Sequence, residues 1–137
     1  MKKFNINYIF LTLALISSFS VLADETDESD EPVNCNARFS NTLELAACFD
    51  EQLKEYDEEL NETYQSIIVE LKSRGTWGSL KKAQKEWIVY RDKNCMFHSD
   101  LFFRGSAAGP VYVQCQARMT KERLDELSQV LEYLEQH

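Results

Sequence analysis

Four cysteines, Cys35, Cys48, Cys95 and Cys115, stand in a chain of 137 residues that opens like an export signal. Lys2 and Lys3 supply a short positive start, Tyr8 to Phe19 an apolar run, and Val21-Leu22-Ala23 the small or medium residues that a signal peptidase accepts before Asp24. Residues 1–23 are therefore expected to be a signal peptide removed from the mature protein. The apolar run is short of the roughly 20 residues that a membrane span needs, and no cysteine follows the cut, so no lipid anchor is expected. Outside the cytosol, thiols pair and stay paired. Three pairings are possible. Cys35 with Cys48 and Cys95 with Cys115 is favoured, because each bridge closes a short loop that a helix start or a helix-to-helix turn can span. Loops of that size are worth about 3 kcal/mol each by the chain-entropy account.

Charge limits the partners. The full chain holds 15 Lys and Arg against 23 Asp and Glu; loss of Lys2 and Lys3 leaves 13 basic residues and a net charge of −10 on the mature protein. Such a balance argues against nucleic acid and anionic lipid and favours cationic partners, through steering that salt weakens. No CxxC or HxxxH spacing occurs, and His98 and His137 are the only histidines. No metal and no cofactor are expected.

The periodicity is helical. Asp24 to Glu31, DETDESDE, has linker composition and is followed by Pro32, so residues 24–34 read as an acidic mobile leader and residues 35–137 as one folded domain. Ser40 to Thr42 offer cap oxygens, with Asn41 and Glu44 at capping-box spacing. Phe49, Leu53, Tyr56, Leu60, Tyr64, Ile67 and Leu71 then recur at fours and threes, predicting a helix to about Lys72. Trp77-Gly78 reads as a turn, with Ser79 capping a second helix that carries Trp87 and Cys95 and reaches Phe97. Gly105 and Gly109 punctuate a loop, and Pro110 suits the first turn of a third helix. Thr120 is placed to cap a fresh segment inside that helix, because Met119 and Leu124 sit where a hydrophobic staple would. VYVQC, residues 111–115, is the one stretch with strand character. The fold class expected is all-α: a small bundle of three main helices, the third broken near Thr120, stapled by two disulfides.

Cys35 and Cys48 around a helix start, ELNETY at 59–64, AQKEWIVYRDKNC at 83–95, GSAAGPVYVQC at 105–115 and MTKERLDEL at 119–127 resemble the LprI-type lysozyme-inhibitor domain, in that family's order. The resemblance implies a small helical exported protein that binds a lysozyme and blocks its cleft. Asn61, Tyr64, Gln84, Trp87, Arg91, Asp92, Gly105, Ser106, Arg123 and the four cysteines match the family pattern. The lipoprotein cysteine of the founding type is absent from this chain, so membrane anchoring does not carry over.

Each matching residue also has a plain structural reading. Trp87 is expected to anchor the core between helices. Arg91, one turn on, is expected to fork onto a carboxylate of the first helix such as Glu58, Glu59 or Glu62, with Asn61 and Gln84 completing a polar layer and Asp92 forming a local pair with Arg91 or Lys93. The loop from Ser99 to Gly109 is the candidate partner-binding element, since a Cys95–Cys115 bridge stiffens it and rigid presentation lowers the ordering cost of binding. Its contact set is Asp100, Phe102, Phe103, Ser106 and Tyr112, the aromatics as anchors. The competing reading tucks at least one of Phe102 and Phe103 under the helices. Leu131 and Leu134 are read as exposed near the chain end, where they would offer a self-pairing surface.

No catalytic residue is expected. Four paired cysteines leave no reactive thiol, no GxSxG elbow accompanies the lone in-fold His98, and the abundant carboxylates lie on solvated helix faces. A non-enzymatic adaptor that docks another envelope component through the acidic first helix is the alternative to a lysozyme inhibitor.

Overall fold

A computed structural model describes residues 34–35, 41–103 and 105–137. The expected signal peptide and almost all of the expected acidic leader lie outside these residues. The described residues form three helices: α1 (Thr42–Arg74), α2 (Trp77–Asp100) and α3 (Ala108–Glu135). No strand occurs among the described residues, and residues 111–115 lie within α3. The disulfides are Cys35–Cys48 and Cys95–Cys115, as the loop spacing predicts.

The start of α1 follows from its capping box. The Asn41 side chain accepts from the backbone N–H groups of Leu43 and Glu44, both at 3.0 Å, and its amide donates to Glu44 Oε1 at 2.9 Å. At 33 residues α1 is about 50 Å long. It ends at Gly75, whose φ of 71° is a left-handed cap that only glycine adopts cheaply.

The predicted stripe of α1 is its buried face. Leu60 and Ile67 form the main core with Leu124, Leu127 and Leu134 of α3, and Tyr64, Leu71, Leu80, Trp87 and Leu131 pack around it. Two contacts fix the direction: the Lys121 ammonium lies 6.0 Å from the Tyr56 ring centroid, and Arg74 Nη2 donates to the Leu134 carbonyl at 3.5 Å. α1 and α3 therefore run parallel along most of their length, and α2 is the return stroke, antiparallel to both. Gln84 meets Arg123, Arg91 meets Thr120 and Cys95 meets Cys115 down the α2–α3 seam.

Several expectations are corrected. Trp77-Gly78 is not a turn and Ser79 is not a cap: α2 begins directly after Thr76, because the left-handed Gly75 alone reverses the chain, and the Lys81 ammonium packs over the Trp77 ring one turn on. α2 also runs three residues past Phe97. α3 is unbroken at Thr120, whose side chain is fully buried and whose hydroxyl serves Arg91 instead of capping a new segment. Leu134 is buried and Leu131 packs against the core, so neither is an exposed pairing surface.

Candidate functional site

Where α2 hands over to α3, the chain carries an apolar surface that the bundle does not cover. Met96, Phe97, Leu101, Phe102 and Phe103 are all exposed, and Phe103 reaches 93 %. Both Phe102 and Phe103 point outward, correcting the reading that tucked one of them beneath the helices. The reason is geometric. The α2 backbone continues to Asp100, and tight turns follow at once: Phe102 N–H donates to the Ser99 carbonyl at 3.1 Å, Phe103 N–H to Asp100 at 3.0 Å, and Gly105 N–H to Phe102 at 2.8 Å. Phe103 sits at φ 50°, the left-handed region that costs a non-glycine residue on the order of 1 kcal/mol. At Gly105 a Cβ would lie 3.1 Å from the Phe102 carbonyl oxygen, so the close turn favours glycine there.

Two clamps hold this tip. Ser99 Oγ donates across the loop to the Ala108 carbonyl at 2.9 Å, and Cys95–Cys115 ties the helix ends below it. The bridge is buried with Met119, and Tyr112 packs against that cluster. Cys35–Cys48 fastens the start of α1 at the same end of the bundle, so both covalent links brace the end that presents the aromatics. Of the predicted contact residues, Asp100, Phe102, Phe103 and Ser106 are exposed together. Tyr112 departs from them: it is half-buried, and its hydroxyl accepts from Gln116 Nε2 at 3.1 Å.

The polar layer lies deeper, between α2 and α3. Arg91, with a side chain only 12 % exposed, donates to Asp92 at 3.0 Å, to Thr120 at 3.1 Å and to Asp57 at 3.5 Å. Its α1 partner is thus Asp57, not Glu58, Glu59 or Glu62, because Asp57 is the acid of α1 that faces α2. Gln84 joins the layer by accepting from Arg123 Nε at 3.0 Å, whereas Asn61 is exposed on α1. The Arg91 and Arg123 guanidiniums lie over the Trp87 ring at 5.3 and 5.9 Å, so the tryptophan is a half-buried core side chain held by two cations. Asp92 bonds Arg91 and also accepts from Gln116 at 3.0 Å. The roles of Gln116 and Thr120 were missed in the sequence, although 116, 120 and 123 place three polar residues at helical spacing on the packed side of α3.

A groove of about 620 Å³ opens on the same half of the molecule, between the first halves of α1 and α3, with His98 of α2 at its edge. Phe49, Tyr56 and Val111 line it, and Arg118 and Lys121 stand along α3. The hydrogen bond to Asp125 raises the pKa of Lys121 above its ordinary value, aided by the nearby Asp125, Tyr56 and Glu59 charges and opposed by slight burial. Among the described residues, no group of three or more His, Cys, Asp or Glu is arranged to hold a metal, and no helix is long and apolar enough to cross a membrane.

Comparison with known proteins places this geometry in context. The family described as lysozyme inhibitor LprI matches residues 34–127, which span all of α1 and α2 and α3 as far as Leu127. An uncharacterised protein of Rhizobium meliloti (strain 1021) is 31 % identical, over 68 % of this chain and 76 % of its own length. No solved structure matches.

Proposed function

The chain belongs to the lysozyme inhibitor LprI family, and on that premise we propose that it is an exported, non-enzymatic protein that binds a cationic lysozyme and blocks its cleft with the tip between α2 and α3. The exposed Phe102 and Phe103, braced from below by Cys95–Cys115, carry this reading. A cleft blocker needs a convex, pre-ordered element with apolar anchors, since each side chain ordered on binding costs about 0.5–1.5 kcal/mol. Phe103, almost wholly in water on a clamped turn, is such an anchor. Asp100 and Ser106 beside it supply an acidic and a hydroxyl contact, and Tyr112 supports the base.

Electrostatics supports a cationic partner. α1 carries nine acidic residues against three basic ones, so its solvated face presents a negative field along about 50 Å. That field speeds encounter, and the aromatic tip then holds the complex. Two disulfides and family membership agree with an extracytoplasmic location, reached in this reading through cleavage after Ala23.

The test titrates the purified mature protein into a panel of lysozymes of different types, reading cell-wall hydrolysis and complex formation by gel filtration. Inhibition near a one-to-one ratio supports the proposal. Binding without inhibition would transfer the assignment to an adaptor acting through α1, and the absence of any complex across the panel would reject it.

A further inference from the structure

We propose that the outer face of α2 is a docking surface for an anionic lipid bilayer. α2 rides on the α1 and α3 pair with Cys95 as its one buried residue, so much of its circumference meets water. Trp77, Lys81, Lys85 and Ile88 recur at spacings of four, four and three, and Lys82, Lys85, Val89, Lys93 and Met96 at three, four, four and three. The two rows share Lys85 and make one face about 28 Å long. All eight residues are exposed, and the four apolar ones are 41–54 % exposed. Apolar side chains that the bundle leaves in water, interleaved with lysines, are what a helix needs to lie in a membrane interface without spanning it.

The charge of this face opposes that of the molecule. Up to Met96, α2 carries Lys81, Lys82, Lys85, Arg91 and Lys93 against Glu86 and Asp92, in a chain of net charge −8. With Asp57 of α1 added, since it meets Arg91, five cations face three carboxylates and an excess of two positive charges remains. Asp92 is already held by Arg91 and Gln116, and Glu122 and Glu126 of α3 pair with Arg118 and Arg123. Lys82, Lys85 and Lys93 take part in none of the ion pairs of the described residues, and Lys81 covers the Trp77 ring at 5.8 Å.

The acids that make the whole chain negative are concentrated elsewhere. Glu51, Glu58 and Glu62 are exposed on α1, about 100° or more around that helix from Asp57, the acid that meets α2. Adjacent helix axes lie about 8–10 Å apart and each helix is about 5–6 Å in radius, which puts that face about 20 Å from the outer face of α2. At about 0.15 M salt the screening length is about 8 Å, so a bilayer touching α2 is shielded from most of the α1 field. Net charge alone argues against an anionic surface; its distribution reverses the outcome on this face. A soluble polyanion would satisfy the lysines and leave Trp77, Ile88 and Val89 in water, whereas a bilayer takes both, with the indole at headgroup level. Docked in this way, the protein turns the acidic side of α1 toward bulk solvent.

The probe is vesicles of phosphatidylglycerol mixed with phosphatidylcholine, added to the full mature protein at about 0.15 M salt and followed by flotation and tryptophan emission. Binding is expected, with a blue shift that Trp77→Phe removes, and none is expected to phosphatidylcholine alone. A lysine near an anionic surface is worth about fivefold, so Lys82→Gln/Lys85→Gln should weaken partitioning about twentyfold. Ile88→Gln/Val89→Gln keeps every charge and should weaken it about tenfold. All four positions are exposed, so both variants should melt with the parent and inhibit a lysozyme in free solution as the parent does, which keeps this assignment separate from that of the tip. The assignment is overturned if phosphatidylcholine vesicles bind equally well, if neither double variant changes partitioning, or if the mixed vesicles are not bound at all. Binding that is matched by soluble polyphosphate and indifferent to Ile88→Gln/Val89→Gln would also overturn it, in favour of a polyanion.

Discussion

Arg91 Nη1 and Thr120 Oγ1 meet at 3.1 Å between α2 and α3, and the threonine side chain is wholly shielded from water. The hydroxyl that looks like a helix cap in the sequence is an internal acceptor in the fold. It accepts from a guanidinium that also reaches Asp57 of α1 and Asp92 of its own helix, so one arginine ties three helices together. Thr120→Val keeps the shape and removes the acceptor. It should lower stability by about 1–2 kcal/mol, seen as a lower urea midpoint with an unchanged slope. Arg91→Leu should cost about 2–3 kcal/mol, since it also strips a cation from the Trp87 face. If both variants unfold with the parent, the layer contributes nothing to the folded state.

Substitution of Phe103 should separate stability from the proposed binding. It is held at φ 50° with its ring in water, so glycine there should leave stability unchanged or raise it by about 1 kcal/mol. The same substitution removes the outermost apolar anchor and should weaken lysozyme binding by about 2 kcal/mol, near thirtyfold. Thermal melts and inhibition titrations on one preparation give both readings. A variant that inhibits as well as the parent would take Phe103 out of the contact surface.

The two disulfides should have unequal functional weight. Each closes a loop worth about 3 kcal/mol to the folded state, so Cys35→Ser/Cys48→Ser and Cys95→Ser/Cys115→Ser should destabilise to similar degrees. The Cys95–Cys115 bridge lies directly beneath the aromatic tip, so its removal should also loosen the loop and raise the dissociation rate from a lysozyme. Hydrogen exchange at residues 101–106 and surface-plasmon kinetics test this. Equal kinetic effects from both double variants would contradict it.

Charge on α1 should govern encounter rather than residence. Replacing Glu51, Glu55 and Glu58 with Gln should lower the association rate several-fold at low salt, with little change in the dissociation rate, and the difference should shrink as ionic strength rises past about 0.15 M, where the screening length is about 8 Å. A salt-independent association rate would indicate that steering plays no part.

What was legible in the sequence follows from how local the controlling physics is. The α1 stripe, its Asn41–Glu44 box and both disulfide loops depend on residues within a few turns of each other, and all were readable. The Trp77 boundary was not, because one left-handed glycine did the work assigned to a two-residue turn. The partner of Arg91 depended on which carboxylate of α1 faces α2; four acids fall in Asp57 to Glu62, and only the helix crossing selects Asp57. Exposure of Phe102 and Phe103 was equally unreadable, since composition alone suits a buried or a projecting aromatic. Gln116 and Thr120 were missed for a different reason: uncharged polar residues in an apolar stripe give no hint of which cation they will meet.

The parallel alignment of α1 with α3 sets the order in which this chain can mature. Leu60 and Ile67 share their buried core with Leu124, Leu127 and Leu134, which lie beyond the whole of α2 in the sequence. A chain that emerges in order exposes the apolar side of α1 until this part of α3 has followed it. Contacts so far apart in sequence form slowly, and an uncovered helix of this kind is prone to stick to its neighbours. Truncation within the last two turns of α3 should therefore reveal itself first as poor recovery of folded protein, before any assay of inhibition is attempted.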